Sequence, residues 1–223
     1  LQQYPQADTN KDGILTMEEG LAFLAKMKKG APGKADGTKK PSGPAPAFAD
    51  VAYGPHERNR RDFWQAKSSS PTPVVVFIHG GGFRSGDKSR WQDSPQLKQL
   101  LDKGVSCAAI NYRFLPQAPV QEILHDAAHA VQFIRSKSAD WNIDKSRIAA
   151  QGGSAGAGTS LWLATRDDLA DPAASDPVRR ESSRVCAAVI SSPQAPYALP
   201  RWESFLGPAD PGWFKSDDEG PLF

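Results

Sequence analysis

The residues with chemical potential fall in two short runs. Gly152-Gly153-Ser154-Ala155-Gly156 carries the pattern Gly-x-Ser-x-Gly, with a glycine two residues to either side of the serine. It follows the apolar stretch Ile148-Ala149-Ala150 and leads into small residues that can open a helix. A serine on a tight strand-to-helix turn exposes its hydroxyl, and the positive end of the following helix favours negative charge beside it. That is where acyl transfer needs a nucleophile. Upstream, His79-Gly80-Gly81-Gly82-Phe83 presents three consecutive glycines. Bare backbone N–H groups can approach a developing oxyanion where no side chain stands in the way.

A third run belongs to different chemistry. Residues 8–19 satisfy every fixed position of an EF-hand calcium loop. Asp8, Asn10 and Asp12 would supply side-chain oxygens, Ile14 its carbonyl, Thr16 a water-mediated contact and Glu19 a bidentate carboxylate. Gly13 would make the sharp turn, and a helix is expected from about Glu18 to Lys28. Hard oxygen ligands at this spacing suit Ca²⁺. Pro5 leaves little room for an entering helix, and no second loop follows. A protein partner at this segment is conceivable, but no residue pattern supports one.

Other candidates weigh less. His125 and His129 stand at i and i+4 of one helix, a spacing that can hold a metal, but no third ligand is evident. The alternative is a solvated or hydrogen-bonded face. Cys107 and Cys186 both sit in apolar runs and read as buried free thiols. Asp87 and Lys88 follow the glycine run and read as braces for it. The six tryptophans read as packing, with Trp202 or Trp213 able to lie over an acyl pocket.

These residues need elements to position them. Of the 223 residues, 39% are apolar and 23% charged, enough for one sizeable core and an appendage. Net charge is +2, with a lysine-rich stretch at 26–40 and no basic face of the kind that binds nucleic acid. No apolar run reaches transmembrane length. Residues 1–28 read as the calcium-loop segment, 29–46 as a Lys/Gly/Pro-rich flexible linker, and 47–223 as the main domain.

In the main domain, strands are expected over 48–53 and 61–66, then at Val74–Ile78, Val105–Arg113, Ser146–Gln151 and Val185–Ile190. The runs at 74–78 and 185–190 lack polar alternation, as in strands covered on both faces. Val120, Ile123, Leu124, Ala127, Val131 and Ile134 recur at helical spacing. Strands alternating with helices predict a three-layer α/β/α sandwich with a mostly parallel sheet. Both glycine runs then fall at carboxyl ends of strands, where such sheets place their functional loops.

The His-Gly-Gly-Gly run followed by the Gly-x-Ser-x-Gly turn, each after a strand, resembles the α/β-hydrolase fold, and within it the carboxylesterase and hormone-sensitive-lipase-like esterases. The resemblance covers about residue 48 onward. It implies a serine esterase acting on small esters without a cofactor. Ser154 would be the nucleophile, and the N–H groups of Gly81, Gly82 and Ala155 the oxyanion hole. His79 would brace its loop. The family places the triad acid and then the histidine after the serine. His56, His79, His125 and His129 all precede Ser154, and none of Asp167, Asp168, Asp171, Asp176, Asp210, Asp217 or Asp218 follows an expected strand. The triad acid and base therefore go unassigned. The base is expected beyond Phe223, in a catalytic domain incomplete at its C-terminus. The alternative is a catalytically inactive hydrolase fold used for binding. A weak calcium site would suit an exported protein.

Overall fold

The structure, a computed structural model, describes Gln6, Thr9, Lys11, Glu19, Phe23 and residues 42–193. The chain divides into two compact units, Leu1–Lys40 and Pro41–Phe223. In the first, Glu19 and Phe23 are helical, and Glu19 is buried.

The second unit is built on a six-stranded sheet. Its strands are β1 (Phe48–Ala52), β2 (Arg60–Trp64), β3 (Thr72–Ile78), β4 (Ser106–Ile110), β5 (Ile143–Gly153) and β6 (Ala187–Ser191), in the order β1-β2-β4-β3-β5-β6. β1 and β2 run antiparallel, and β2 meets β4 antiparallel; β4, β3, β5 and β6 are parallel. Among the described residues its α-helices are α1 (Pro95–Asp102), α2 (Val120–Ser136) and α3 (Ala155–Thr165).

Period-2 alternation sorts the strand residues into two cores, one on each face of the sheet. Phe63, Val74, Val76, Ile78, Ala108, Ile110, Ile148 and Ala150 join α2 and Trp162 of α3 in the larger core. Trp64, Phe77, Cys107 and Ala109 face the other way, against Trp91 and the Leu97, Leu100 and Leu101 face of α1. Each fully buried aliphatic side chain contributes about 1.5–3 kcal/mol. The α/β/α layering expected from the strand–helix alternation is therefore present.

Sequence periodicity did not reveal α1, whose moderate apolar content is confined to one face. Its signal is the cap: Ser94 Oγ accepts from Gln96 N at 3.3 Å and Pro95 stands at the first helical position.

Two expectations are corrected. The run at 185–190 is no buried strand: Val189 is 59% exposed and Ile190 39%. β6 pairs with β5 on one side only and is an edge of the described sheet. For the same reason Cys186 is exposed, whereas Cys107, inside the sheet, is buried. The run at 105–113 also ends as a strand at Ile110, and Asn111, Tyr112 and Arg113 serve as braces.

Candidate active site

The site begins with the pairing of β3 and β5. Their parallel register places Ile78 beside Gly152, so the two glycine-rich continuations leave the sheet side by side. Gly152 and Gly156 are required by close approach. A Cβ on Gly152 would stand 2.3 Å from the carbonyl carbon and oxygen of Gly156, and one on Gly156 would stand 2.0 Å from the carbonyl oxygen of Ile78. Backbone therefore packs on backbone, and α3 starts directly against the end of β3.

Ser154 caps α3 with φ 53° and ψ −122°. A non-glycine residue there costs on the order of 1–3 kcal/mol and persists because its surroundings hold it. Here the hold is visible: Ser154 N donates to the carbonyl of Ser191 at 2.9 Å, and the Ser154 carbonyl accepts from Gly158 N at 3.0 Å. The strain turns the serine out of the strand onto the N-terminus of α3.

The His79–Gly82 run lies against it. A Cβ on Gly80 would stand 2.7 Å from the Gly153 carbonyl oxygen and 3.4 Å from the Ser154 Cβ. Gly81 and Gly82 have φ of 124° and 61°, backbone that L side chains rarely adopt. The turn closes on the Gly81 carbonyl, which accepts from Arg84 N at 3.0 Å and Ser85 N at 3.1 Å. The backbone N–H groups of Gly81, Gly82 and Ala155 donate to no other described backbone group. The sequence reading assigned these three to an oxyanion hole.

His79 is buried. Its Nδ1–H donates to the Gly80 carbonyl at 2.9 Å, and its ring stacks on Tyr112 with centroids 4.3 Å apart. Burial pushes the imidazole down to about 4, so it is neutral at physiological pH. Its Nε2 is buried and has no hydrogen-bond partner among the described residues.

Behind the loop lies a polar brace. Asp87 Oδ1 accepts from Ser89 N at 2.9 Å, and Asp87 Oδ2 accepts from Asn111 Nδ2 at 2.7 Å. Burial alone would raise the Asp87 carboxyl, but these bonds outweigh it and hold it below the usual carboxylate range. Lys88 N donates to Asn111 Oδ1 at 2.7 Å, and the buried Lys88 Nζ donates to both oxygens of Asp62 at 2.8 and 2.9 Å. Arg113 grips two carboxylates of α2, Asp126 through Nε at 2.9 Å and Nη2 at 2.8 Å and Glu122 through Nη1 at 2.8 Å. The sequence reading missed the parts of Asn111, Tyr112 and Arg113. The available signal was three hydrogen-bonding side chains directly after a buried strand.

Ser154 does not line the cleft that holds the other histidines. His125 and His129 line a cleft of about 560 Å³ with His56, Arg113, Asp126 and Arg179. No group of three His, Cys, Asp or Glu side chains poised for a metal occurs among the described residues. The acids after the serine hold local structure: Asp168 Oδ1 accepts from Ser183 N at 2.9 Å, Asp171 Oδ1 from Ala173 N at 3.0 Å and Asp176 Oδ1 from Val178 N at 2.9 Å. Asp210, Asp217, Asp218, Trp202 and Trp213 lie outside the described residues. So do the calcium-loop positions Asp8, Asn10, Asp12, Ile14 and Thr16. Glu19 Oε1 accepts from Thr9 N and Thr9 Oγ1, both at 2.9 Å.

Comparison with known proteins adds a family and a fold. The BD-FAE family model matches residues 63–194. A probable isoprenylcysteine alpha-carbonyl methylesterase of Arabidopsis thaliana is 32% identical over 138 residues, 61% of this chain and 29% of that protein. A probable carboxylic ester hydrolase of Mycobacterium tuberculosis is 32% identical over 144 residues, 63% of this chain and 33% of that protein. The chain thus spans about a third of the length of these relatives. Among solved structures, the acetyl ester-xyloside bifunctional hydrolase of Caldicellulosiruptor lactoaceticus matches with TM-score 0.62 and 25% identity, covering 76% of this chain and 68% of that one. A thermophilic esterase of Thermogutta terrifontis matches with TM-score 0.57 and 23% identity, covering 73% and 57%; at that identity the likeness shows the fold. Among the described residues no helix is long and apolar enough to cross a membrane.

Proposed function

The chain belongs to the BD-FAE family, and from that premise we propose that it carries the nucleophile and oxyanion hole of a carboxylic-ester hydrolase acting on small esters. Ser154 Oγ attacks the ester carbonyl carbon, and its proton passes to a general base. The carbonyl oxygen becomes an oxyanion received by the N–H groups of Gly81, Gly82 and Ala155. Collapse breaks the bond to the alkoxy oxygen, which leaves as the alcohol after taking up the proton. Water then attacks the acyl-serine by the same route and releases the acid. Each aligned N–H donor lowers such a barrier by roughly 2.7–4 kcal/mol.

The observation that carries this reading is the strained Ser154 at the start of α3 with the Gly80–Gly82 backbone against it. The esterase names among the relatives agree with it. None of the four histidines is offered as the base. His79 is buried with Nδ1 engaged, and the other three line a cleft whose lining does not include Ser154. The general base of the proposed mechanism is left unassigned.

The test is covalent labelling of the full-length protein with a fluorophosphonate, followed by peptide mapping. Label at Ser154 that disappears in Ser154→Ala supports acyl transfer. An unlabelled wild type, or label that survives in Ser154→Ala, removes the reading and leaves a hydrolase fold used for binding.

Calcium binding at residues 8–19, with the exported location it would suit, rests on loop spacing alone. Calorimetric titration of Ca²⁺ into the protein tests it; heat that persists in Asp8→Ala or Glu19→Gln counts against the loop.

A further inference from the structure

We propose that Tyr112 is a positioning residue for the oxyanion loop, a reading that rests on the ester-hydrolase function above. Tyr112 follows β4, is fully buried, and touches the loop in two ways. Its hydroxyl donates to the carbonyl oxygen of His79 at 2.6 Å. Its ring stacks on the His79 imidazole, with centroids 4.3 Å apart and planes 22° apart.

The first contact sets the orientation of a peptide plane. The His79 carbonyl and the Gly80 N–H belong to one rigid peptide unit. Fixing that oxygen fixes the direction from which the chain enters Gly80, Gly81 and Gly82. Glycines have little conformational preference of their own, so the loop's shape must come from outside it. The second contact fixes the imidazole, whose Nδ1–H holds the Gly80 carbonyl. Two successive carbonyls, those of His79 and Gly80, are thus oriented by Tyr112, one directly and one through His79.

Tyr112 is itself held. Its carbonyl accepts from Arg58 Nε at 2.8 Å, and Arg58 Nη2 donates to the Gly86 carbonyl at 3.2 Å at the far end of the loop. The Arg58 guanidinium lies 3.7 Å from the Phe114 ring centroid, and the Phe83 carbonyl accepts from Leu115 N at 2.8 Å. The residues after β4, together with Arg58, therefore grip both ends of the glycine loop, with Tyr112 at its His79 end.

The test compares Tyr112→Phe with Tyr53→Phe in the full-length protein. Tyr53 is the control: its hydroxyl is also buried and donates to the carbonyl of the neighbouring Asn111 at 2.5 Å, but it does not reach the loop. The substrate is p-nitrophenyl acetate, and the transition-state analogue is a trifluoromethyl ketone, whose adduct places an oxyanion in the hole. In Tyr112→Phe, kcat is expected to fall about ten- to a hundredfold. KM should stay within about twofold, because ground-state binding makes little use of the hole. The ketone should bind more weakly by the same factor as kcat. Tyr53→Phe should lower the thermal midpoint without this kinetic split.

Equal kcat and ketone affinity in wild type and Tyr112→Phe overturns the proposal while leaving ester hydrolysis intact. So does an equal split in both variants, or a Tyr112→Phe protein that does not fold, either of which assigns the tyrosine to general core stability. A wild-type protein that neither hydrolyses the ester nor labels at Ser154 overturns the hydrolase reading and this inference with it.

Discussion

Gly152 and Gly156 touch backbone to backbone across the Ser154 turn, with only 2.3 Å between the Gly156 carbonyl and the position of a Cβ on Gly152. The backbone cannot give way, because the Gly156 side of the contact is itself pressed on the Ile78 carbonyl. Gly152→Ala and Gly156→Ala should each cost about 3 kcal/mol or more of stability. Gly104→Ala is the contrast. Its φ is positive, at 75°, unlike that of Gly152 or Gly156, and nothing lies within 4 Å of the new Cβ, so its cost should be about 1 kcal/mol. Urea midpoints of the three variants measure the difference, and losses at Gly152 and Gly156 no larger than at Gly104 would show that the backbone contact gives way at little cost.

Ser154 stores strain at φ 53° because it carries a side chain there. Ser154→Gly should abolish ester hydrolysis and raise stability by about 1 kcal/mol. Ser154→Ala should abolish hydrolysis without that gain, since alanine meets the same backbone restriction. Chemical denaturation of the pair separates relief of strain from loss of the hydroxyl.

His79 links the loop to pH. Burial places its native value at about 4, against about 6.5 in an unfolded chain. The unfolded state therefore takes up the proton first as pH falls. The stability contribution is complete above pH 6.5 and is lost as pH drops toward 4, by up to about 3 kcal/mol. Urea midpoints of wild type should fall more steeply over that interval than those of His79→Gln. Parallel slopes would place the acid sensitivity elsewhere.

The two cysteines should differ in reactivity. Cys107 is buried within the sheet, and burial pushes its thiol up to about 12. Cys186 is exposed just before β6. In native protein iodoacetamide should modify Cys186 and spare Cys107 by peptide mapping, and both should react after unfolding. Rapid modification of Cys107 in native protein would mean that the sheet opens at β4.

What the sequence determined by itself was local. The alternation of strands and helices, the glycine pattern about Ser154 and the triple glycine after Ile78 each lie within a short window, where periodicity and backbone preference act. They sufficed for the layered α/β architecture and for the residues to test in the site. The tertiary structure decided the rest. It set Ile78 beside Gly152, which brings the glycine loop to the serine. It left β6 at an edge of the described sheet, so Val189 and Ile190, which read as core, stand exposed. It also turned Tyr112, read only as part of the strand at 105–113, into the hydrogen-bond partner of His79. Strand pairing, coverage of a face and a hydroxyl's partner depend on residues tens of positions away, brought close only when the sheet assembles. No window of the sequence contains both members of such a pair.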